Sequence, residues 1–261
     1  MSQIVFDRVR HGYRAAGRPE MLALSDISLS VEPGEFVSLL GPSGCGKSTL
    51  LYLLGGFVAI QSGRILMEGR KVTGPGPDRG VVFQNFALFP WKTVRQNIAY
   101  GLERQKLPAR ERDEIVQSFI DMVHLRGFED SFPSQLSGGM RQRVAIARTL
   151  AVKPRVLLMD EPFGALDAQT REIMHEELLG IMQRTRMTTI FVTHDVREAV
   201  YLSDRVAVMS SRPGRIKEVL TIDLPERTGP SVMKSARAND IVEYLWSQVK
   251  IDAAHAVSAV Q

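Results

Sequence analysis

Lys47 and Ser48 directly follow a turn with three glycines, Gly41-Pro42-Ser43-Gly44-Cys45-Gly46. The spacing is G-x-x-x-x-G-K-[ST]. Glycine tolerates positive φ and close approach, so successive backbone N–H groups in such a turn can point inward at one anion. A lysine beside them adds a full positive charge, and a hydroxyl can ligate a metal ion. These residue types suit a chain of phosphates: Lys47 reaches the β- and γ-phosphates, Ser48 ligates Mg²⁺, and Thr49 packs the following helix or meets the α-phosphate. Cys45 is the sole cysteine. With no second thiol to resolve an oxidised form, it reads as a small loop residue rather than a redox group.

A phosphate site with a metal needs an acidic partner, and the stretch Val156 to Pro162, VLLMDEP, supplies one. Its apolar run reads as a buried strand that delivers Asp160 to Mg²⁺ at its C-terminal edge. Side chains alternate along a strand, so Glu161 is free for a second task, polarising the water that attacks the phosphate. A further anion site is legible at Ser137: this residue caps a helix whose first turn holds Gly138 and Gly139, leaving bare N–H groups at a dipole end. Taken alone, that is also what an ordinary helix cap looks like. It lies about ninety residues beyond the first turn, so its sense is to close on a nucleotide held by another copy of the chain.

The elements that must position these groups follow from the hydrophobic pattern. Glu35 to Leu40 reads as a buried strand entering the glycine turn, and the leucine-rich run after Ser48 as the helix leaving it. Upstream, IVFDRV and ALSDISLSV read as strands. Downstream, SGRILMEGRKV reads as a strand pair turning at Glu68-Gly69. The stretch TGPGPDRG breaks regular structure before a strand in VVFQ. From about Val94 to Ala151 the pattern is mostly helical, with RERDEIVQSFIDMVHL amphipathic. Strands return in RVLLMDEP, TTIFVTHD and RVAVMS. A helical segment inserted into an α/β domain is the expected organisation, followed by a mixed, poorly patterned tail.

The 261 residues suit one large domain or two small ones. A single cysteine excludes an intrachain disulfide and fits a reducing compartment. The start, MSQIVFDRVRHGY, lacks an apolar run of signal-peptide length, and no run approaches a membrane span. The net charge of +4, from 33 basic and 29 acidic residues, is spread without a basic block of the kind that marks a nucleic-acid tail; it mildly permits contact with anionic partners and decides nothing, and no nucleic-acid partner is expected.

Five stretches together carry a resemblance: the glycine turn through Thr49, LSGGM (Leu136 to Met140), LLMDEP (Leu157 to Pro162), FGALD (Phe163 to Asp167) and VTHD (Val192 to Asp195). In this order, from about Ile4 to Arg215, the chain resembles the nucleotide-binding subunit of ABC transporters. The resemblance implies a P-loop NTPase fold of class α/β, a RecA-like core with an antiparallel β subdomain and an inserted helical signature subdomain. The corresponding boundaries are a core of 1–84 and 152–220, a helical subdomain of 85–151 and a short C-terminal extension of 221–261. It also implies ATP and Mg²⁺ as ligands, with Gly41, Pro42, Ser43, Gly44, Cys45, Gly46, Lys47, Ser48 and Thr49 around the phosphates. Ser137, Gly138 and Gly139 would act from the other copy of a homodimer, with Asp167 at the seam between copies.

By the same resemblance Gln84 is the glutamine that senses Mg²⁺ and touches the membrane subunit, and His194 contacts the γ-phosphate. Glu161, His194, Lys47 and Gln84 form the catalytic set, and Ser48, Gln84 and Asp160 the metal set. Tyr13 fits the aromatic residue that stacks on adenine, although a packing tyrosine is the other reading, because the polar insert RAAGRPEM blurs its register. The remaining histidines, His11, His124, His175 and His255, read as surface or core residues. Met140 stands where such subunits usually carry Gln, and Gly164 where Ser is frequent; neither change removes a phosphate ligand.

Gly74 to Leu102, DEPFGALDAQTR and SSRPGRI resemble the importer branch for nitrate, sulfonate, taurine and related small anions. The implied partners are two transmembrane permease subunits and a solute-binding protein, with the chain peripheral on the cytoplasmic face of the inner membrane. The apolar row Phe86, Leu88, Phe89, Pro90, Trp91 reads either as a groove for a helix of the membrane subunit or as a satellite core. A soluble ATPase of the same type acting on nucleic acid or in regulation is the alternative. It would need a long heptad insertion or a duplicated phosphate turn, and neither is present.

Overall fold

The computed structural model describes residues 2–14, 17, 19–224 and 229–258, which leaves Ala15, Ala16 and Arg18 of the insert after Tyr13, and the side chain of His255, outside the described residues. The chain divides into two compact units, Met1–Gly76 with Met182–Gln261, and Pro77–Ile181.

The first unit holds two sets of strands. In one, β1 (Ile4–Tyr13) pairs antiparallel with β2 (Met21–Val31) and with β4 (Ser62–Met67), and β4 turns back into β5 (Arg70–Lys71). The turn between β4 and β5 uses Glu68 and Gly69 at φ 48° and 75°, the left-handed pair that a two-residue hairpin requires and that Gly69 accepts without a Cβ penalty. In the other set, β3 (Phe36–Leu40) lies between β8 (Thr188–Thr193) and β9 (Arg205–Met209), parallel to both, and β10 (Ile216–Thr221) pairs antiparallel with β9. All residues of β3 and β8 are buried, as a parallel strand covered on both faces demands. Helix α1 (Lys47–Gly55) follows β3, and α6 (Val196–Leu202) follows β8.

Helix α7 spans Ala236–Ser258, and its Ile241, Val242 and Leu245 join one apolar cluster with Val196, Ala199 and Val200 of α6 and Val206 and Val208 of β9. With Ala238, the buried positions recur at 238, 241, 242 and 245, one face of a helix.

In the second unit, β6 (Arg79–Val82) pairs parallel with β7 (Val156–Asp160). Between them in sequence come α2 (Val94–Ala99), α3 (Ala109–Met122) and α4 (Gly138–Ala151). Helix α5 (Ala168–Thr185) follows β7. The mostly helical stretch expected between Val94 and Ala151 is therefore present, and α3 occupies the segment with the amphipathic pattern.

Candidate active site

In the first unit, β3 ends at Leu40 and hands the chain to the glycine turn. Gly44 and Gly46 adopt φ of 77° and 99°, and Gly46 is the N-cap of α1. A Cβ on Gly46 would lie 2.6 Å from Leu24 Cδ2 and 3.1 Å from the Ala23 carbonyl oxygen, so both conformation and packing require glycine there. Lys47 is 4% exposed. Its Nζ folds back over the turn and donates to the carbonyl oxygens of Gly41 (2.7 Å) and Pro42 (3.0 Å). Two neutral carbonyl oxygens are weaker acceptors for such a donor than an anionic oxygen would be.

Two further expected residues lie at the same edge of this unit. Leu40 of β3 stands opposite Thr193 of β8, so Gly41 and His194 leave neighbouring parallel strands side by side. The loop carrying His194 is held from below: Thr193 Oγ1 donates to the buried Glu198 carboxylate and accepts from Asp195 N at 2.9 Å. Asp195 in turn caps α6 by accepting from Arg197 N (2.8 Å) and Glu198 N (3.2 Å). Tyr13, at the end of β1, shares a hydrogen bond of 3.1 Å with Thr49 Oγ1 on α1. Its ring stands beside the glycine turn with 42% of its surface exposed. The hydroxyl of Thr49 thus meets Tyr13 instead of serving only to pack its helix. His11, which carries no motif in the sequence, packs edge-on against Tyr13 with ring centroids 5.0 Å apart. Burial holds its imidazole below the usual value, opposed in part by the Glu20 carboxylate. The alternation along β1 puts both rings on one face, and that was the available sequence signal.

In the second unit, the parallel pairing of Val82 with Met159 brings Gln84 and the pair Asp160–Glu161 out of the sheet at one end. Asp160 is buried, and Glu161 takes a left-handed φ of 42°. A Cβ on Gly164 would lie 3.5 Å from Gln84 Nε2, 3.5 Å from the Glu161 carbonyl oxygen and 3.9 Å from Glu161 Oε2. The site where Ser is frequent in similar subunits therefore lies between two expected catalytic side chains. Ser137 is the N-cap of α4, with its Oγ accepting from Met140 N at 3.3 Å. A Cβ on Gly139 would meet Thr170 Cγ2 at 2.7 Å, and one on Gly138 would meet Leu166 Cδ2 at 3.1 Å. The two signature glycines let α4 start close against the segment that follows β7. Asp167 accepts from Thr170 N (3.0 Å) and Thr170 Oγ1 (2.7 Å) at the start of α5. Those bonds, the backbone one first, hold its carboxyl below the usual range.

The apolar row after Gln84 divides into two parts. Phe86 and Ala87 have φ of 62° and 46°, and Arg148 of α4 fixes them by donating to their carbonyl oxygens at 3.1 and 2.7 Å. The Arg148 guanidinium lies over the Phe89 ring, and Tyr100 packs on the same ring at 4.3 Å. Burial pushes the Arg148 guanidinium below its ordinary value. The fully buried Asn97 side chain accepts from Phe89 N (2.9 Å) and donates to the carbonyl oxygens of Phe89 (3.2 Å), Lys92 (2.9 Å) and Thr93 (3.0 Å). Phe89 is thus half-buried in a packed cluster, whereas Trp91 is 71% exposed. The satellite-core reading applies to the first and not the second. Arg148 and Asn97 carry no motif, because polar side chains bonded to carbonyls leave no periodic trace in sequence.

Mg²⁺ takes hard oxygen ligands in a near-octahedral shell and binds through one or two protein oxygens plus substrate phosphates. The Ser48 hydroxyl, the Gln84 amide oxygen and the Asp160 carboxylate are donors of that kind. No group of three or more His, Cys, Asp or Glu among the described residues could hold a metal ion by itself. Each of these oxygens, Ser48 in the first unit and Gln84 and Asp160 in the second, is by its own chemistry a donor that suits Mg²⁺.

The family model described as "ABC transporter" matches residues 24–164. The chain is 58% identical over 202 residues to the uncharacterized ABC transporter ATP-binding protein MJ0412 of Methanocaldococcus jannaschii, covering 77% of this chain and 76% of that one. It is 54% identical over 208 residues to the nitrate import ATP-binding protein NrtD of Synechocystis, covering 80% and 78%. Among solved structures it is similar to the ATP-binding cassette MJ0796, described as a dimer in a post-hydrolysis state bound to ADP and Pi. That match has a TM-score of 0.74 at 31% identity, over 84% of this chain and 99% of that one. The α/β organisation is accordingly that of a P-loop NTPase cassette, and the chain belongs to the ABC transporter family as an ATP-binding, ATP-hydrolysing subunit.

Proposed function

We propose that this chain is the energising subunit of an importer for a small anion of the nitrate or sulfonate kind, working as a homodimer with two separate permease subunits and a solute-binding protein. The observation that carries the ATPase part is Lys47, a buried cation folded over the carbonyls of its own glycine turn. The anion rests on the nitrate import relative and on the resemblance of Gly74 to Leu102, DEPFGALDAQTR and SSRPGRI to that branch.

In this reading the turn Gly41–Thr49 wraps the phosphates, Lys47 moves from the Gly41 and Pro42 carbonyls to the β/γ-phosphates, and Tyr13 offers its ring face to adenine. Ser48, Asp160 and Gln84 would hold Mg²⁺, which would supply charge neutralisation for the phosphates. Glu161 accepts the proton of the attacking water, and His194, fixed by Thr193, Asp195 and Glu198, donates to the γ-phosphate. Ser137, Gly138 and Gly139 of each copy close on the nucleotide of the other, with Asp167 at the seam. The MJ0796 cassette, described as a dimer, supports this pairing.

No helix among the described residues is long and apolar enough to cross a membrane. The permease subunits of this reading carry the cargo path, and the chain is peripheral on the cytoplasmic face of the inner membrane. The surface offered to a permease is the stretch from Gln84 to Gly101, where Arg148 and Asn97 stiffen the backbone and Trp91 projects. The test is ATP-driven uptake of labelled nitrate, taurine and sulfate by vesicles containing the assembly. Uptake of any of them that stops without this chain supports the reading. Uptake that is indifferent to the chain contradicts it.

A further inference from the structure

The SSRPGRI stretch marks a branch by resemblance, but nothing in the reaction just described uses it. In the first unit it forms the turn between β9 and β10, and it walls the glycine turn from outside. The turn is braced internally: Ser210 N donates to the Arg215 carbonyl oxygen at 2.9 Å, and Arg215 N to Ser210 Oγ at 3.1 Å. It is also laced to β2, with Gly214 N donating to the Ala23 carbonyl oxygen and Ser25 N to that of Gly214, both at 2.9 Å. From this base, Arg212 Nη2 donates to the Gly44 carbonyl oxygen at 3.2 Å, and Nη1 lies 2.9 Å from Met21 Sδ. A Cβ on Gly214 would fall 2.0 Å from the Cys45 carbonyl oxygen. Only glycine allows so close an approach, and so the wall touches two consecutive peptide groups of the phosphate turn.

The consequence lies in peptide geometry. In a trans peptide the C=O and N–H point in opposite directions. With the Gly44 carbonyl drawn outward to Arg212, the Cys45 N–H must face the interior of the turn. There it donates to the Pro42 carbonyl oxygen at 3.3 Å, the same oxygen that Lys47 Nζ reaches at 3.0 Å. Two donors converge on one acceptor, the arrangement a phosphate oxygen would take over.

We propose that Arg212, supported by Gly214, is a positioning residue for the phosphate turn, holding the Gly44–Cys45 peptide so that the Cys45 N–H is presented to nucleotide phosphates before they arrive. This rests on the reading of the turn as the ATP site. Preorganised donors give affinity because no ordering is required at the moment of binding.

The experiment compares wild type, Arg212→Ala and Arg212→Lys for MgATP and MgADP affinity by calorimetry, for KM and kcat, and for thermal midpoint. The expected result for Arg212→Ala is affinity lower by about three- to tenfold for both nucleotides, the scale of one hydrogen bond. KM should rise in step, with kcat at saturating ATP and the nucleotide-free midpoint retained. Arg212→Lys, which keeps one donor, should recover part of the affinity. Wild type that binds ATP while Arg212→Ala binds it equally well overturns the positioning role alone. A midpoint that falls in proportion to affinity overturns it too, by making Arg212 a merely structural contact. Wild type that binds no ATP overturns the reading of the turn and the inference together.

Discussion

Lys47→Ala separates ligand binding from folding in a way the structure makes quantitative. The substitution removes two charge-assisted hydrogen bonds to the Gly41 and Pro42 carbonyls, and it also removes the cost of keeping an ammonium out of water. These oppose each other, so nucleotide-free stability should change by no more than about 1 kcal/mol. The phosphates have no substitute for that charge. A loss of about 2.7 kcal/mol, the strength of one hydrogen bond to a charged group, lowers affinity about 100-fold. At ATP fixed at about 100 times the wild-type Kd, linkage stabilises wild type by about 2.7 kcal/mol and the variant by about 0.4. For a chain of this size these become midpoint rises of about 5 to 11 °C and about 1 °C. Differential scanning fluorimetry with and without MgATP reads both at once. An Ala variant that keeps the full ATP-induced rise would refute the role given to Lys47, and one that unfolds without ligand would show the lysine to be part of the fold.

Two other substitutions test the surfaces around the site. Trp91→Ala, at an exposed ring, should leave stability within about 0.5 kcal/mol of wild type and basal ATPase unchanged, yet reduce co-purification with the permease subunits; unchanged assembly and transport would remove this surface from the coupling account. Leu245→Ala opens a cavity in the cluster shared by α6, α7 and β9, and should cost about 2 to 5 kcal/mol, read as a lower denaturation midpoint; no loss would mean that α7 does not support the first unit.

The strand-turn-helix around Gly41 to Ser48 was readable because it is local, and the glycine spacing reports a backbone shape directly. The strands β3, β7 and β8 were readable for a related reason, since their burial on both faces leaves short runs rich in apolar and β-branched residues between breakers. Helix α7 was missed although Ala238, Ile241, Val242 and Leu245 have helical spacing. The exposed Tyr244 and Trp246 interleave with them and blur the stripe, and their partners in α6 and β9 lie far away in sequence. Phe89 and Trp91 looked equivalent for the opposite reason: composition shows two aromatics in one loop, and only the packing of Arg148, Tyr100 and Asn97 separates the covered ring from the exposed one. Arg212 had no signal of its own, because its acceptor is a backbone carbonyl 168 residues away.

The most direct measurement is ATP turnover beside ATP binding in Glu161→Gln. Gln keeps the size of the side chain and removes its capacity to accept a proton. Phosphate release should fall by about 10²- to 10⁴-fold, the usual contribution of a positioned general base. The affinity for MgATP should stay at the wild-type value, because the turn and Lys47 are untouched. Turnover at the wild-type rate, or a loss of ATP binding as large as that in Lys47→Ala, would contradict the assignment of binding to the glycine turn and of water activation to Glu161.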